Sequence, residues 1–193
     1  DSGATYMDGT TDITRTYPLG PLTEDEKRFY TWTLQSHIDL AKAVWLDYCE
    51  CKMIDTIARE PLWRHLINYR CGTGHSVSFV GNVHEGPHAL NGRNTTLMRP
   101  GMVVTDEPGV YETDLVGIRI ENELVCVHKA DNQYGTFLGF EPLMFVPIAT
   151  SPILPGVLDK DEIAWLNDYH RQVFAKLAPH LNDEERSWLA EKC

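Results

Sequence analysis

The chain has 193 residues and a formal net charge of −11, a balance that argues against nucleic acid or an anionic membrane surface as a partner, since both need clustered Lys and Arg. Hydrophobic residues make up 42% and charged residues 23%, enough apolar content at this length for one packed domain. No apolar run approaches the ~20 residues of a membrane-spanning helix.

No secretory leader is read at the start. The five cysteines, Cys49, Cys51, Cys71, Cys126 and Cys193, are odd in number and scattered. Reduced thiols in a cytoplasmic protein are therefore expected, rather than a disulfide framework or a zinc knuckle. Asp1-Ser2-Gly3-Ala4 reads as the interior of a strand, so the 193 residues are expected to be part of a longer chain.

Residues 1–17, DSGATYMDGTTDITRTY, predict a hairpin turning at Asp8-Gly9. Asp1 and Asp12 fall on opposite arms, and solvation or capping is the ordinary use of each. Thr23-x-x-Glu26 is a capping box. A helix follows to about Trp45, with an apolar stripe of Tyr30, Leu34, Ile38, Ala41 and Trp45. His37 lies beside that stripe and reads as structural or exposed. A second helical segment runs from about Met53 to Tyr69, kinked or restarted at Pro61, with Leu62, Trp63 and Leu66 expected in the core.

Cys71-Gly72-Thr73-Gly74-His75 ends the helical pattern, and Val83-His84-Glu85-Gly86-Pro87 places a second histidine before a turn. Histidines flanked by glycine in loops suit ligand or acid–base roles. Residues 88–100 read as a loop over a sheet. Gly139 to Val146 reads as a strand interrupted at Glu141-Pro142. Asp159 opens a helix to about Ala178, with Ile163, Leu166, Tyr169 and Phe174 broadly on one side. A short helix covers about Asp183 to Glu191. Hairpins dominate the strands, which points to α+β.

The most informative stretch is Met102 to Cys126. Two apolar, β-branched runs flank a polar middle, the pattern of a hairpin. Folded about Asp114, it sets Glu107 opposite Glu121, and Arg119 shares a face with Glu121. Two carboxylates facing each other in apolar strands need a cation, a shared proton or several donors. The simpler alternative is a surface hairpin with solvated glutamates. Asp1, Asp12, His75, Glu107 and Glu121 together form an oxygen-rich, thiolate-free set. It suits two divalent ions, Mn²⁺ or Co²⁺ before a structural Zn²⁺.

The pieces DSGATYMDGTTDITRT, GTGHSVSFVGNVHEGP, VVTDEPGVYE, GIRIENELV, FEPLMFVPI and DEIAWLNDYH span nearly the whole chain. In order and spacing they resemble aminopeptidase P, the Xaa-Pro aminopeptidases among the pita-bread metallopeptidases, in their long eukaryotic form. The resemblance implies that residues 1–193 are part of one catalytic domain of pita-bread fold, with upstream strands and N-terminal domains missing. It implies Asp12 and Glu121 as bridging ligands of two ions, most readily Mn²⁺, with Asp1 completing one and His75 and Glu107 the other. Glu107 would shuttle protons and His84 would donate to the scissile carbonyl. Arg119 would sit beside the bridging carboxylate. The implied reaction removes the N-terminal residue from peptides with proline in second position, and a homodimer is expected.

One departure bears on the substrate. Cys71 stands where the family has a substrate-pocket histidine, which keeps open a non-catalytic binding or scaffold protein of the same fold; a prolidase-like Xaa-Pro dipeptidase of the same fold is a second alternative.

Overall fold

The computed structural model describes residues 1–193. The expected α+β character holds, with four helices set against short antiparallel strands. The opening hairpin pairs β1 (Ala4–Tyr6) with β2 (Gly9–Thr11). α1 (Glu24–Ala41) starts at the Thr23 capping box. It stops short of the expected Trp45, because Val44–Leu46 forms β3 and pairs with β10 (Gly135–Pro142). Trp45 is buried against Phe140 while Val44 faces solvent, the two-residue alternation of a strand. Sheet pairing here overrides a helical stripe.

α2 (Cys51–Trp63) contains Pro61 and ends well before the expected Tyr69. Leu62 is buried as expected. Trp63 and Leu66 are exposed, the latter at positive φ, so neither belongs to the core. β4 (Gly74–His75) pairs with β5 (Ala89–Leu90).

β6 (Val103–Asp106) pairs with β9 (Asn122–Asn132), and β7 (Gly109–Glu112) with β8 (Val116–Arg119). Val103 faces Val125, Asp106 faces Asn122, Gly109 faces Arg119 and Glu112 faces Val116. Every one of these pairs is centred on position 114, where Asp114 takes a positive φ in the turn. The two ladders are thus one hairpin in one register, interrupted where Glu107 and Glu121 stand opposite each other.

β9, β6, β10 and β3 make a four-stranded sheet in the order β3-β10-β9-β6. Single bridges extend the pairing on both sides: Thr14 with Glu121, and Ser76 with Val104. The strand segments carrying Asp12, Glu121, Glu107 and His75 therefore lie side by side. β10 stops at Pro142, so the predicted strand does not continue to Val146.

α3 (Lys160–Leu177) begins at the Asp159 N-cap, and α4 (Asp183–Lys192) ends the chain. One core lies between α2 and the sheet, around Ile54, Met98, Val104, Leu124 and Cys126. A second joins α1 to α3 through Leu34, Ile38, Ile120, Leu166 and Tyr169. Tyr169 and Leu189 are consumed by this packing; Trp188 and Ile163 are exposed.

Candidate metal centre

Four of the five expected ligands meet. Ligand atoms of Asp12, His75 and Glu121 all lie within 4.8 Å of one another. His75 Nε2 is 3.1 Å from Glu107 Oε1 and 3.5 Å from Asp12 Oδ2. Asp1 is placed differently. It is exposed at the open end of the β1–β2 hairpin, and its Oδ2 is 2.6 Å from Arg119 Nη2. Asp1 thus touches the cluster only through Arg119.

Each side chain is held by its strand. Gly74 lies so close to the neighbouring strand that a Cβ would overlap the Thr105 carbonyl, which is why β4 needs glycine there. The Thr105 hydroxyl accepts from the His75 N–H at 2.9 Å and donates to Glu107 Oε1 at 3.0 Å. The Glu107 N–H donates to the Thr73 carbonyl at 2.7 Å. The Thr14 hydroxyl donates to Glu121 Oε2 at 2.5 Å and accepts from Arg119 Nε at 2.9 Å. Arg119 Nε itself is 3.8 Å from Glu121 Oε2, so its hold on that carboxylate passes through Thr14. The Tyr111 hydroxyl accepts from Arg119 Nη1 at 2.8 Å, and Arg15 Nη1 donates to the Glu121 carbonyl.

Thr14, Arg15, Thr105 and Tyr111 escaped the sequence reading. The signal for Thr14 was present: it lies two residues past Asp12, hence on the same face of an extended segment. Tyr111 and Thr105 are reached only through strand pairing.

His84 is exposed, with its ring edge-on to His75 at 4.1 Å between centroids. Cys71 is exposed at the margin, with Sγ 3.8 Å from the Gly109 carbonyl. Its thiol is pushed up, first by burial and then by the Glu107 charge, the opposite of an activated thiolate.

The donor set fits a metal ion. His75 Nδ1 is 3.2 Å from the Ser76 carbonyl, and a carbonyl only accepts, so Nδ1 carries the ring proton. In the neutral ring Nε2 then presents a lone pair to two carboxylates, a set of acceptors that requires a cation or a proton. Burial, followed by the Glu107 and Asp12 charges, pushes Glu121 up to about 7, against the Thr14 hydrogen bond. Burial also raises Asp12, with the Glu107 charge adding to it and the histidines opposing. For His75, burial disfavours the charged ring, but the Glu107 hydrogen bond, the Ser76 carbonyl and the carboxylate charges together push it up.

A curled sheet that gathers carboxylates and an imidazole from neighbouring strands is the pita-bread arrangement of a metallopeptidase. The chain matches the model of metallopeptidase family M24 over residues 1–128, and that of the C-terminal region of peptidase M24 over residues 136–193. It belongs to the M24 metallopeptidase family.

Among its relatives are Aminopeptidase P1 of Lotus japonicus and Aminopeptidase P2 of Arabidopsis thaliana. Each is 44% identical over 98% of this chain, which covers 30% and 28% of them respectively. The crystal structure of X-prolyl aminopeptidase from Caenorhabditis elegans, described as a cytosolic enzyme with a di-nuclear active site, superposes with a TM-score of 0.94. It is 40% identical, over 100% of this chain and 32% of that one. Prolidase from Pyrococcus furiosus gives a TM-score of 0.62 and 29% identity, over 73% of this chain and 39% of that one. The chain thus spans about a third of the length of the relatives it matches.

Proposed function

We propose that this chain carries the ligand-bearing part of an Xaa-Pro aminopeptidase that uses two divalent ions. The observation that carries the reading is that His75 Nε2 faces Asp12 and Glu107 oxygens at 3.5 and 3.1 Å, with Glu121 in the same cluster. Asp12, His75, Glu107 and Glu121 would hold the ions, with Asp1 as a fifth ligand once released from Arg119. Mn²⁺ is the preferred ion because oxygen donors dominate and no thiolate takes part.

Two ions held there would supply a water ionised near neutral pH and polarise a carbonyl. The protein's own groups do the rest. Glu107, held on one oxygen by the Thr105 hydroxyl, accepts a proton and passes it to the leaving nitrogen. His84, beside His75, donates to the carbonyl oxygen as negative charge develops. Arg119, through Thr14, keeps Glu121 oriented. Cys71, at the margin, forms part of the substrate-binding wall, and the substrates are peptides with proline in second position. The likeness to relatives named aminopeptidase P, and the higher TM-score of the X-prolyl aminopeptidase than of the prolidase, support this choice over a dipeptidase.

The full-length protein is expected to release the first residue of Xaa-Pro-Yaa peptides when supplied with Mn²⁺, and to cleave Xaa-Pro dipeptides more slowly. No release at saturating Mn²⁺, Co²⁺ and Zn²⁺ would overturn the reading, and faster dipeptide cleavage would shift it to a prolidase. A cytoplasmic location, supported by the cytosolic description of the C. elegans enzyme, and a homodimer complete the proposal. Cell fractionation and sedimentation velocity test these two.

A further inference from the structure

Between the end of α2 at Trp63 and the start of β4 at Gly74 the chain forms neither helix nor strand, so its backbone groups need partners from elsewhere. The carbonyls of Tyr69 and Cys71 accept from no backbone N–H. Arg59, on α2, supplies both. Its Nη1 donates to the Tyr69 carbonyl and its Nη2 to the Cys71 carbonyl, each at 2.9 Å. Nη1 also donates to Asn68 Oδ1 at 3.2 Å, and the guanidinium lies 4.2 Å from the centroid of the Tyr69 ring.

Asp55 stands one turn earlier on the same face of α2. Its Oδ2 accepts from Arg59 Nε at 2.8 Å, and its Oδ1 accepts from the Thr73 hydroxyl. A hydroxyl has one proton to give, so the Tyr69 hydroxyl donates to the Thr73 oxygen. Asp55, Arg59, Tyr69 and Thr73 are all buried, and their hydrogen bonds close into a ring. Two groups at the metal centre hang from it. The Cys71 carbonyl is gripped by Arg59, and the Thr73 carbonyl accepts from the Glu107 N–H at 2.7 Å.

A buried ion pair adds little net stability over an apolar pair of similar volume. What an apolar pair lacks is a planar fork of donors that fixes two carbonyls at once. We propose that Arg59 is a positioning residue for the substrate. By gripping the Tyr69 and Cys71 carbonyls it sets where the Cys71 wall of the pocket stands, and Asp55 holds the fork in place. This rests on the peptidase reading above, in which Cys71 belongs to the substrate-binding wall. Arg59 hydrogen-bonds none of Asp12, His75, Glu107 and Glu121, so its loss falls on substrate binding rather than on metal content.

The test compares the full-length protein with Arg59→Lys, which keeps a positive charge beside Asp55 but has no fork to hold two carbonyls. With an Xaa-Pro-Yaa peptide at saturating Mn²⁺, KM should rise about tenfold, while kcat and bound metal stay within about twofold. Amide hydrogen exchange across residues 68–73 should quicken about tenfold, with the protection of β9 unchanged. Should melting show that Arg59→Lys fails to fold, Asp55→Asn replaces it. Its amide oxygen still accepts from Arg59 Nε without the charge that pins the fork, and the same pattern is expected at about threefold. An unchanged KM, a fall in kcat alone, or exchange quickened equally in β9 overturns the proposal. Unchanged exchange across 68–73 overturns it whether or not the wild type cleaves the peptide. Quickened exchange in a protein that cleaves no peptide leaves the hold of Arg59 standing and overturns the peptidase reading instead.

Discussion

Thr14 places one hydroxyl between a guanidinium and a carboxylate, donating to Glu121 and accepting from Arg119. Removing it leaves Arg119 Nε 3.8 Å from a carboxylate oxygen with nothing between them. Thr14→Val is therefore expected to lower metal affinity by ~10–100-fold, as loss of a group supporting a ligand commonly does, with the fold retained. Competition of the loaded full-length protein with a chelator measures this. The two glutamates should separate by a different readout. Glu121→Gln removes a buried carboxylate from the centre of the cluster and should abolish occupancy of both ions by elemental analysis. Glu107→Gln should cost turnover more than metal. Equal metal loss in both variants would contradict that division of work. The opposition of Glu107 and Glu121 was legible in the sequence because strand period and a polar turn determine it. The support from Tyr111 and Thr105 was not, because it depends on which strands become neighbours. The pairing of Asp1 with Arg119 also lay beyond reach, since it depends on which segments become neighbours in the fold.

At the scale of elements, helix starts were easier to read than helix ends. Thr23 forms the capping box that its spacing predicts and Asp159 opens α3 as expected, and Asn182 caps α4 in the same way, because a cap is a local hydrogen-bond pattern. The end of α1 is decided elsewhere: Val44–Leu46 is claimed by β10, some 90 residues further along the chain, and no helical periodicity reveals that. Leu66 shows the same limit, an apolar residue in register with a helix that has already ended. β4 is the element most sensitive to a single atom. Gly74→Ala would drive a methyl group into the Thr105 carbonyl. It should destabilise the protein by about 2–3 kcal/mol and detach His75 from Thr105. Chemical denaturation reads the first effect, and loss of metal binding at temperatures where the variant is folded reads the second.

For the molecule as a whole, α3 and the α1 core share a pH-sensitive contact that none of the metal-ligand side chains makes. His170 is buried, and its Nε2 accepts from the Ile148 N–H at 3.1 Å. Burial, together with the Arg15 charge, lowers its pKa below the ordinary 6.5. The unfolded chain then takes up a proton before the folded one does. The stability tied to the neutral ring is complete above 6.5 and drains away as pH falls toward the folded value. The melting temperature of the full-length protein should drop on acidification through this window, and His170→Gln should flatten that part of the profile. An unchanged slope would exclude His170 as the source.

The bridge between Thr14 and Glu121 joins positions 107 apart in sequence. This has a consequence in time. Asp12 leaves the ribosome long before Glu121, so the nascent chain holds isolated ligands that compete poorly for metal. The high-affinity cluster comes into being only when that long loop closes, a slow kind of contact to form. On the proposed function, metal uptake is then a late step of maturation, and the free energy of binding is added to that of closure. Pulse-labelled chains should acquire metal after they acquire protease resistance, and a metal-starved cell should accumulate chains already folded around the α1–α3 core.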